Sequence, residues 1–202
     1  MTELAEMKRS ATVEHIAQAG LRGLTEHGLD VTVDEIATIA GVSRRTVFRH
    51  FSTRDELVVA AIRTTTPRFD ESLPLRDGDD WRDWLSELYL AVHHANIKFG
   101  RLVWELLARP NLSAPLTAVA DEITRYRADR NEAVVRDLWR ALGRKDAIPP
   151  ALRAGVIAHF SPHFTIAVHR DAGGDAAMAA SLATASVLAL VDSLEPDAAR
   201  AD

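Results

Sequence analysis

TVDEIATIAGVSRRTVFRHFSTRDEL, residues 32–57, reads as two short helices joined by a tight turn, with a third helix starting directly behind them. The first opens at Thr32, whose hydroxyl caps free N–H groups of the first turn while Glu35, three residues on, reaches back: a capping box. Ile36, Ala37, Ile39 and Ala40 give that helix an apolar side. Gly41 falls where a helix stops in the left-handed conformation, which glycine adopts without steric penalty. Val42 packs under the turn, and Ser43 is a strong N-cap for the second helix, Arg44 to about Phe51. Val47 and Phe51, four apart, turn that helix toward a core and leave Arg44, Arg45, Phe48 and Arg49 outward. Thr53 with Glu56 forms a second capping box. The pattern is a helix-turn-helix with its start and stop signals in place.

Charge points the same way by a separate route. Between Gly41 and Arg54 stand four arginines and no acid, although the chain carries a net charge of −5. Arginines in the first turn of a helix oppose the macrodipole, which favours acids there, so an anionic partner is the natural reason for them. On a helix that fits the major groove, arginine pairs bidentately with guanine O6 and N7 or neutralises phosphate. A solvated helix start is the competing structural explanation.

The run GVSRRTVFRHFSTRDEL resembles the signature of TetR-family transcriptional regulators, in which GVS-x-x-T-[LVF]-[YF]-x-[HY]-F precedes a [ST]-[KR]-[DE]-x-L helix start. The resemblance covers roughly residues 8–62. It implies that Arg44, Arg45 and Arg49 face the groove, with Thr32, Thr46, His50 and Arg54 against phosphates and Ser43 at the cap between them. Phe48 departs from the tyrosine that many members carry, so no hydroxyl is offered to phosphate. Contact with a thymine methyl and simple packing are both open to it. The resemblance also implies a homodimer through the last two helices on a pseudo-palindromic double-stranded DNA operator.

The remaining bounds follow from composition. A chain of 202 residues, 47% hydrophobic and 26% charged, suits a globular protein of one or two domains. Zero cysteines exclude disulfides and thiolate metal sites and suit a reducing cytoplasm, which is the expected location. MTELAEMKRS has no apolar signal core. Ala176–Val191, the longest apolar run, is interrupted by Ser181, Thr184 and Ser186 and falls short of the ~20 residues of a bilayer span. No membrane partner and no cofactor are expected.

Hydrophobic spacing predicts an all-α chain of about nine helices, which the resemblance divides into a three-helix DNA-binding head, residues 1–52, and a helical ligand-binding and dimerisation body, residues 53–202. Residues 1–7 read as a frayed arm. A helix over about 8–27 follows, capped by Gly28, with Gly20 and Gly23 inside it for close packing. The helix from Thr53 runs to about Thr65, and 66–79, with Pro67, Pro74 and Gly78, reads as a loop. Body helices are predicted over about 80–98, 100–108, 113–142, 149–170 with a kink at Pro162, and 174–194.

In the last helix, Met178, Leu182, Val187, Leu190 and Val191 put apolar surface on nearly every side. A partner subunit or a central core position would bury it. For a ligand, Trp84, Trp104 and Trp139 with Phe160, His163 and Phe164 are the candidate pocket residues, suiting a small apolar or aromatic effector. Ordinary core packing explains the same residues, and Glu105 stands as a possible partner for a cationic ligand. His159 and His163 have the i, i+4 spacing of a metal pair, but Pro162 disturbs it and no third ligand is near, so no metal is assigned. Three functional classes result. The chain is a ligand-responsive regulator, in this family usually a repressor; or a helical enzyme or metal-binding module with an appended DNA head; or a DNA-binding protein without a ligand. No nucleophile elbow, phosphate loop or H-E-x-x-H supports the enzyme.

Overall fold

The structure is a computed structural model that describes residues 3–65, 73–74 and 80–194. Among the described residues the elements are α1 (Glu3–His27), a 3₁₀ turn (Gly28–Asp30), α2 (Val33–Ala40), α3 (Arg44–His50), α4 (Arg54–Arg63), α5 (Trp81–Ala108), α6 (Ala114–Ala141), α7 (Pro150–His159), α8 (Pro162–Ile166), a π turn (Ala167–Asp171) and α9 (Ala176–Ser193). The described residues contain no strand, as the absence of period-2 alternation predicts. The loop expected over 66–79 lies outside the described residues except for Leu73 and Pro74.

Two compact units divide the chain: Met1–Glu71 with Arg101–Thr124, and Ser72–Gly100 with Arg125–Asp202. Their boundary therefore runs through α5 and α6 as well as near residue 71, and does not coincide with the division expected between residues 52 and 53.

In the first unit, α1 lies against α2 and α4. The contact is close because two glycines sit on it. A Cβ on Gly20 would meet Ala61 Cβ at 3.0 Å, and one on Gly23 would meet Val31 Cγ2 at 2.9 Å. Ile16, Leu24, Leu29, Ile36, Val47 and Leu57 are sealed into the resulting core. From the body helices the unit takes Leu102, Leu106, Leu116, Val119 and Ala120, all buried.

Polar links tie the same pieces together. Glu105 accepts the Leu29 N–H at 2.8 Å and an Arg101 N–H at 2.7 Å. Arg109 grips Asp30 with two bonds of 2.7 and 2.9 Å, and Arg63 holds Glu122 at 2.6 and 3.1 Å. Glu105 thus has an internal structural role in place of the cationic ligand considered for it.

Several helix boundaries differ from expectation. The N-terminal arm is helical from Glu3, not frayed. The helices expected over 80–98 and 100–108 are one, because Gly100 is tolerated mid-helix where Pro162 Cβ would lie 3.5 Å from its absent Cβ. The helix expected over 149–170 is not kinked but divided: α7 ends at His159, Ser161 caps α8 by accepting the His163 N–H at 3.2 Å, and the π turn follows. A capped restart is what a proline at the first helical position favours.

In the second unit, α9 turns Ala176, Ala179, Ala180, Ala183, Val187 and Val191 inward. Leu190 packs against Gly155 of α7. The expectation of apolar burial on nearly every side is therefore met on one side only. Met178, 49% exposed, and Leu182, 48% exposed, stand outward with Ala185 and Ala189 in a single apolar stripe. By length and composition alone α9, with a mean hydropathy of 1.5 over 18 residues, could cross a membrane; a third of it is buried within its own unit.

Candidate nucleic-acid interface

The caps read from the sequence set the angle at which α3 is presented. Thr32 Oγ1 accepts the Glu35 N–H at 3.2 Å while Glu35 accepts the Thr32 N–H at 2.7 Å and the Thr32 hydroxyl at 2.8 Å. These bonds hold the Glu35 carboxyl below the usual range, the Thr32 N–H contributing most. Gly41 closes α2 at φ 66°, and the Val42 N–H returns to the Ala37 carbonyl at 3.0 Å. Ser43 Oγ then accepts the Thr46 N–H at 3.1 Å to open α3. At α4, Thr53 accepts the Glu56 N–H, but Glu56 reaches back to the Ser52 N–H, one residue earlier than a capping box requires.

Only Val47 of α3 is buried, and Phe51 behind it fills the core. The outward side is Arg44, Arg45, Phe48 and Arg49, as the spacing predicts. Arg44 pairs with Asp34 of α2 and lies over the Phe48 ring, 5.2 Å from its centre. That contact steadies Phe48, which stays 41% exposed. Among the described residues, Arg45 and Arg49 make no hydrogen bond or ion pair, so both guanidinium groups are free for a ligand.

The expected phosphate residues fall into different places. Thr32 and Thr46 lie beside the exposed start of each helix, yet their hydroxyls already serve Glu35 and Ser43. Arg54 is half-buried: its Nε donates to the Val31 carbonyl at 2.8 Å and its Nη2 to the Leu29 carbonyl. That is a correction. The group expected to reach phosphate fastens the 3₁₀ turn to α4, because those two carbonyls have no helical partner. His50 lies with Ala5, Lys8, Arg9, Thr12 and Arg49 around a cleft of about 520 Å³ between α1 and the end of α3. Helical spacing from a start at Glu3, five residues before the expected one, places Lys8 and Arg9 there.

The candidate pocket residues are not brought together. Trp104 belongs to the first unit and is 48% exposed. His163 is exposed and bonded locally to Ser161 at 3.1 Å. Trp139 is buried with its indole N–H on the Asp146 carbonyl at 2.8 Å, and Trp84 is a core residue. Phe160 and Phe164 do share a cluster in the second unit, with a residue outside the expected set.

His93 is fully buried there, its Nδ1 2.8 Å from Thr165 Oγ1, stacked on Tyr89 and tilted against Phe164. Asn96 also donates to Thr165 at 2.9 Å, and Tyr89 donates to the Val156 carbonyl at 3.2 Å. Nε2 of His93 is buried without a partner. Burial, then the neighbouring His159 and His94, pushes the His93 pKa down to about 4. His159 spends its Nδ1 on the Gly155 carbonyl. Among the described residues no three His, Cys, Asp or Glu side chains are placed to hold a metal.

Residues 10–61 match the family described as bacterial regulatory proteins, tetR family. The chain is 32% identical over 78 residues to MftR of Mycobacterium tuberculosis, a transcriptional regulator named for mycofactocin biosynthesis. That match takes in 35% of this chain, and the chain spans only 39% of that relative's length. Its fold is similar to that of a TetR transcription regulator from Haloarcula marismortui, with a TM-score of 0.68 at 21% identity over 91% of this chain and 98% of the other. The regulator FadR from Bacillus subtilis, in complex with stearoyl-CoA, gives 0.61 at 14% identity over 86% and 96%.

Proposed function

We infer that this chain, whose residues 10–61 match the TetR family of bacterial regulatory proteins, is a member of that family and acts as a ligand-responsive repressor which grips a pseudo-palindromic operator as a homodimer. In this reading residues 1–52 bind DNA and residues 53–202 bind the effector and the second copy. The observation that carries it is the outward face of α3: two unpaired arginines and an exposed Phe48 on a helix whose start Ser43 caps. Arg45, in the first turn, reads a base edge, and Arg49 follows the backbone. Phe48, steadied by Arg44, offers an aromatic edge to a thymine methyl.

A single head of this size spans too few base pairs to select one site, so two-fold pairing is the economical solution. The stripe of Met178, Leu182, Ala185 and Ala189 supports a second copy as its cover, because small residues between larger ones let two helices approach closely. A neighbour of the same fold in complex with an acyl-CoA supports a small-molecule effector with apolar character. Here the Tyr89–His93–Phe160–Phe164 cluster replaces the expected tryptophans as the place for it. Effector binding favours dimers whose heads no longer match the operator, and by linkage the operator weakens the effector equally. The protein works in the cytoplasm and carries out no catalysis in this reading.

Selection of bound fragments from a random double-stranded oligonucleotide pool tests it. An enriched inverted repeat is expected. Enrichment of nothing, or of motifs without two-fold repetition, would sink the proposal.

A further inference from the structure

We propose that the cleft between the N-terminal turns of α1 and the end of α3 is a phosphate site, seizing a backbone phosphodiester beside the groove that α3 reads. The proposal rests on the DNA-binding reading above and adds to it a second contact surface. Ala5, Lys8, Arg9 and Thr12 recur at i, i+3, i+4 and i+7, which places them on one face of α1. Glu3, Glu6 and Glu14 fall away from that face by the same spacing. Arg49 and His50 complete the lining from α3. Among the described residues no carboxylate pairs with Lys8, Arg9 or Arg49, so three cations share a cleft of about 520 Å³ without a counter-charge. Such an arrangement repels itself until an anion enters. Thr12 donates its hydroxyl to the Lys8 carbonyl at 2.9 Å and so stiffens the turn that carries the lysine.

His50 is the second observation. Both of its ring nitrogens are covered and lack any hydrogen-bond partner. Burial first, then the charges of Arg49 and Arg9, hold its pKa below the ordinary value. The groups that face it are therefore cationic from both helices. A phosphate in the cleft reverses that field, and a small turn of the ring gives it an oxygen to bond. Protonation of His50 then accompanies binding. Its sign is definite: DNA affinity rises as pH falls into the range between the free and the bound pKa, and His50→Gln removes that dependence.

The test combines two measurements on the full chain. In the first, the affinity of wild type and of a Lys8→Gln, Arg9→Gln variant is measured against a selected duplex and an unrelated one over a range of salt. The variant is expected to bind both duplexes about ten-fold more weakly, by the same factor, as loss of a charge-assisted contact requires. Its plot of log affinity against log salt should be shallower by about 1.8, about 0.9 for the phosphate given up by each head of the dimer. Unchanged affinity and slope would overturn the proposal while leaving α3 as the reader of DNA. If wild type binds neither duplex, the DNA reading itself has failed.

The second follows the His50 imidazole by nuclear magnetic resonance, with inorganic phosphate and with duplex added separately. Movement toward the charged form with duplex alone identifies a backbone phosphate. Movement with inorganic phosphate as well, in competition with duplex, makes the cleft a general phosphate site open to a free phosphorylated compound. No movement in either arm overturns the proposal.

Discussion

Gly28→Ala is expected to destabilise the first unit far more than a surface alanine should, and the geometry supplies the size of the effect. Gly28 sits at φ 73°, a conformation that costs a residue with a Cβ ~1–2 kcal/mol. The added Cβ would also fall within 3.0 Å of all three atoms of the Glu105 carboxylate. That carboxylate accepts the Leu29 N–H at 2.8 Å, and its side chain is only 22% exposed. Moving it aside gives up a charged hydrogen bond to backbone worth ~1.5–3 kcal/mol. The two costs together come to ~2.5–5 kcal/mol.

Urea denaturation of Gly28→Ala, Glu105→Ala and the double variant separates them, at one protein concentration so that any association is held constant. Glu105→Ala removes both the hydrogen bond and the obstacle. In that background Gly28→Ala should cost only the ~1–2 kcal/mol of its backbone conformation, so the double variant falls well short of the sum of the singles. Additivity within ~0.5 kcal/mol would refute the idea that the two groups meet. The same carboxyl carries a pH signature. Burial would raise its pKa, but the Leu29 N–H and Arg101 more than offset that and hold it low. Stability from this contact is therefore present above the unfolded carboxyl pKa and is lost as pH falls through the lower folded value.

Other outcomes are expected. Arg45→Ala should cost ~1–3 kcal/mol of operator affinity and relax selectivity at one base pair of each half-site, measured by fluorescence anisotropy with mismatched duplexes; equal weakening on every sequence would make Arg45 a phosphate contact. Met178→Asp with Leu182→Asp should yield monomers in sedimentation, and a variant still dimeric would place the interface away from α9. Leu190 is unsuitable for that test because it packs on Gly155 within its own subunit. For His93, a folded pKa of about 4 below the ordinary 6.5 means that the unfolded chain takes up the proton first. Stability should fall by about 3 kcal/mol as pH drops from ~6.5 to ~4, and the fall should be smaller by that amount in His93→Gln; identical pH profiles for the two proteins would contradict the burial.

How legible each part was depended on how local its determinants are. The head could be read because its caps and turn are contacts between residues three to five apart: Thr32 with Glu35, Gly41 with Ala37 and Thr38, Ser43 with Thr46. The outward set of α3 followed from Val47 and Phe51 alone. Arg54 misled for the opposite reason. Its partners, the carbonyls of Leu29 and Val31, lie more than twenty positions earlier, and a basic residue at a helix start looks the same whether it meets phosphate or its own backbone. Gly100 and Pro162 show a further limit. Each reads as a breaker by propensity, but one passes unnoticed inside α5 and the other opens a new helix, so the count of nine among the described residues rests on two compensating boundary errors.

The body illustrates why aromatic residues are poor guides to a ligand. Tryptophan suits the wall of a pocket for an apolar or aromatic ligand, yet its bulk is also what fills a core, and Trp84 and Trp139 do that. A pocket is better marked by a polar group whose hydrogen bonding is incomplete, since burial of such a group is costly unless something completes it. His93 meets that condition: Thr165 serves Nδ1, while Nε2 is buried without a hydrogen-bond partner. Nothing in its own stretch, AVHHAN, distinguishes it from His94, which is exposed on the same helix. The difference is made by α8, seventy positions later, and by Ser161, which ends the approach of α7 and sets Thr165 against the ring. An effector that bonds Nε2 must do so to a neutral imidazole, because the low pKa keeps the ring uncharged at neutral pH. The Thr165 hydroxyl donates to the Ser161 carbonyl, so Nδ1 carries the ring proton and Nε2 accepts. A hydroxyl on an otherwise apolar molecule, donating to Nε2, fits that requirement, and a carboxylate does not.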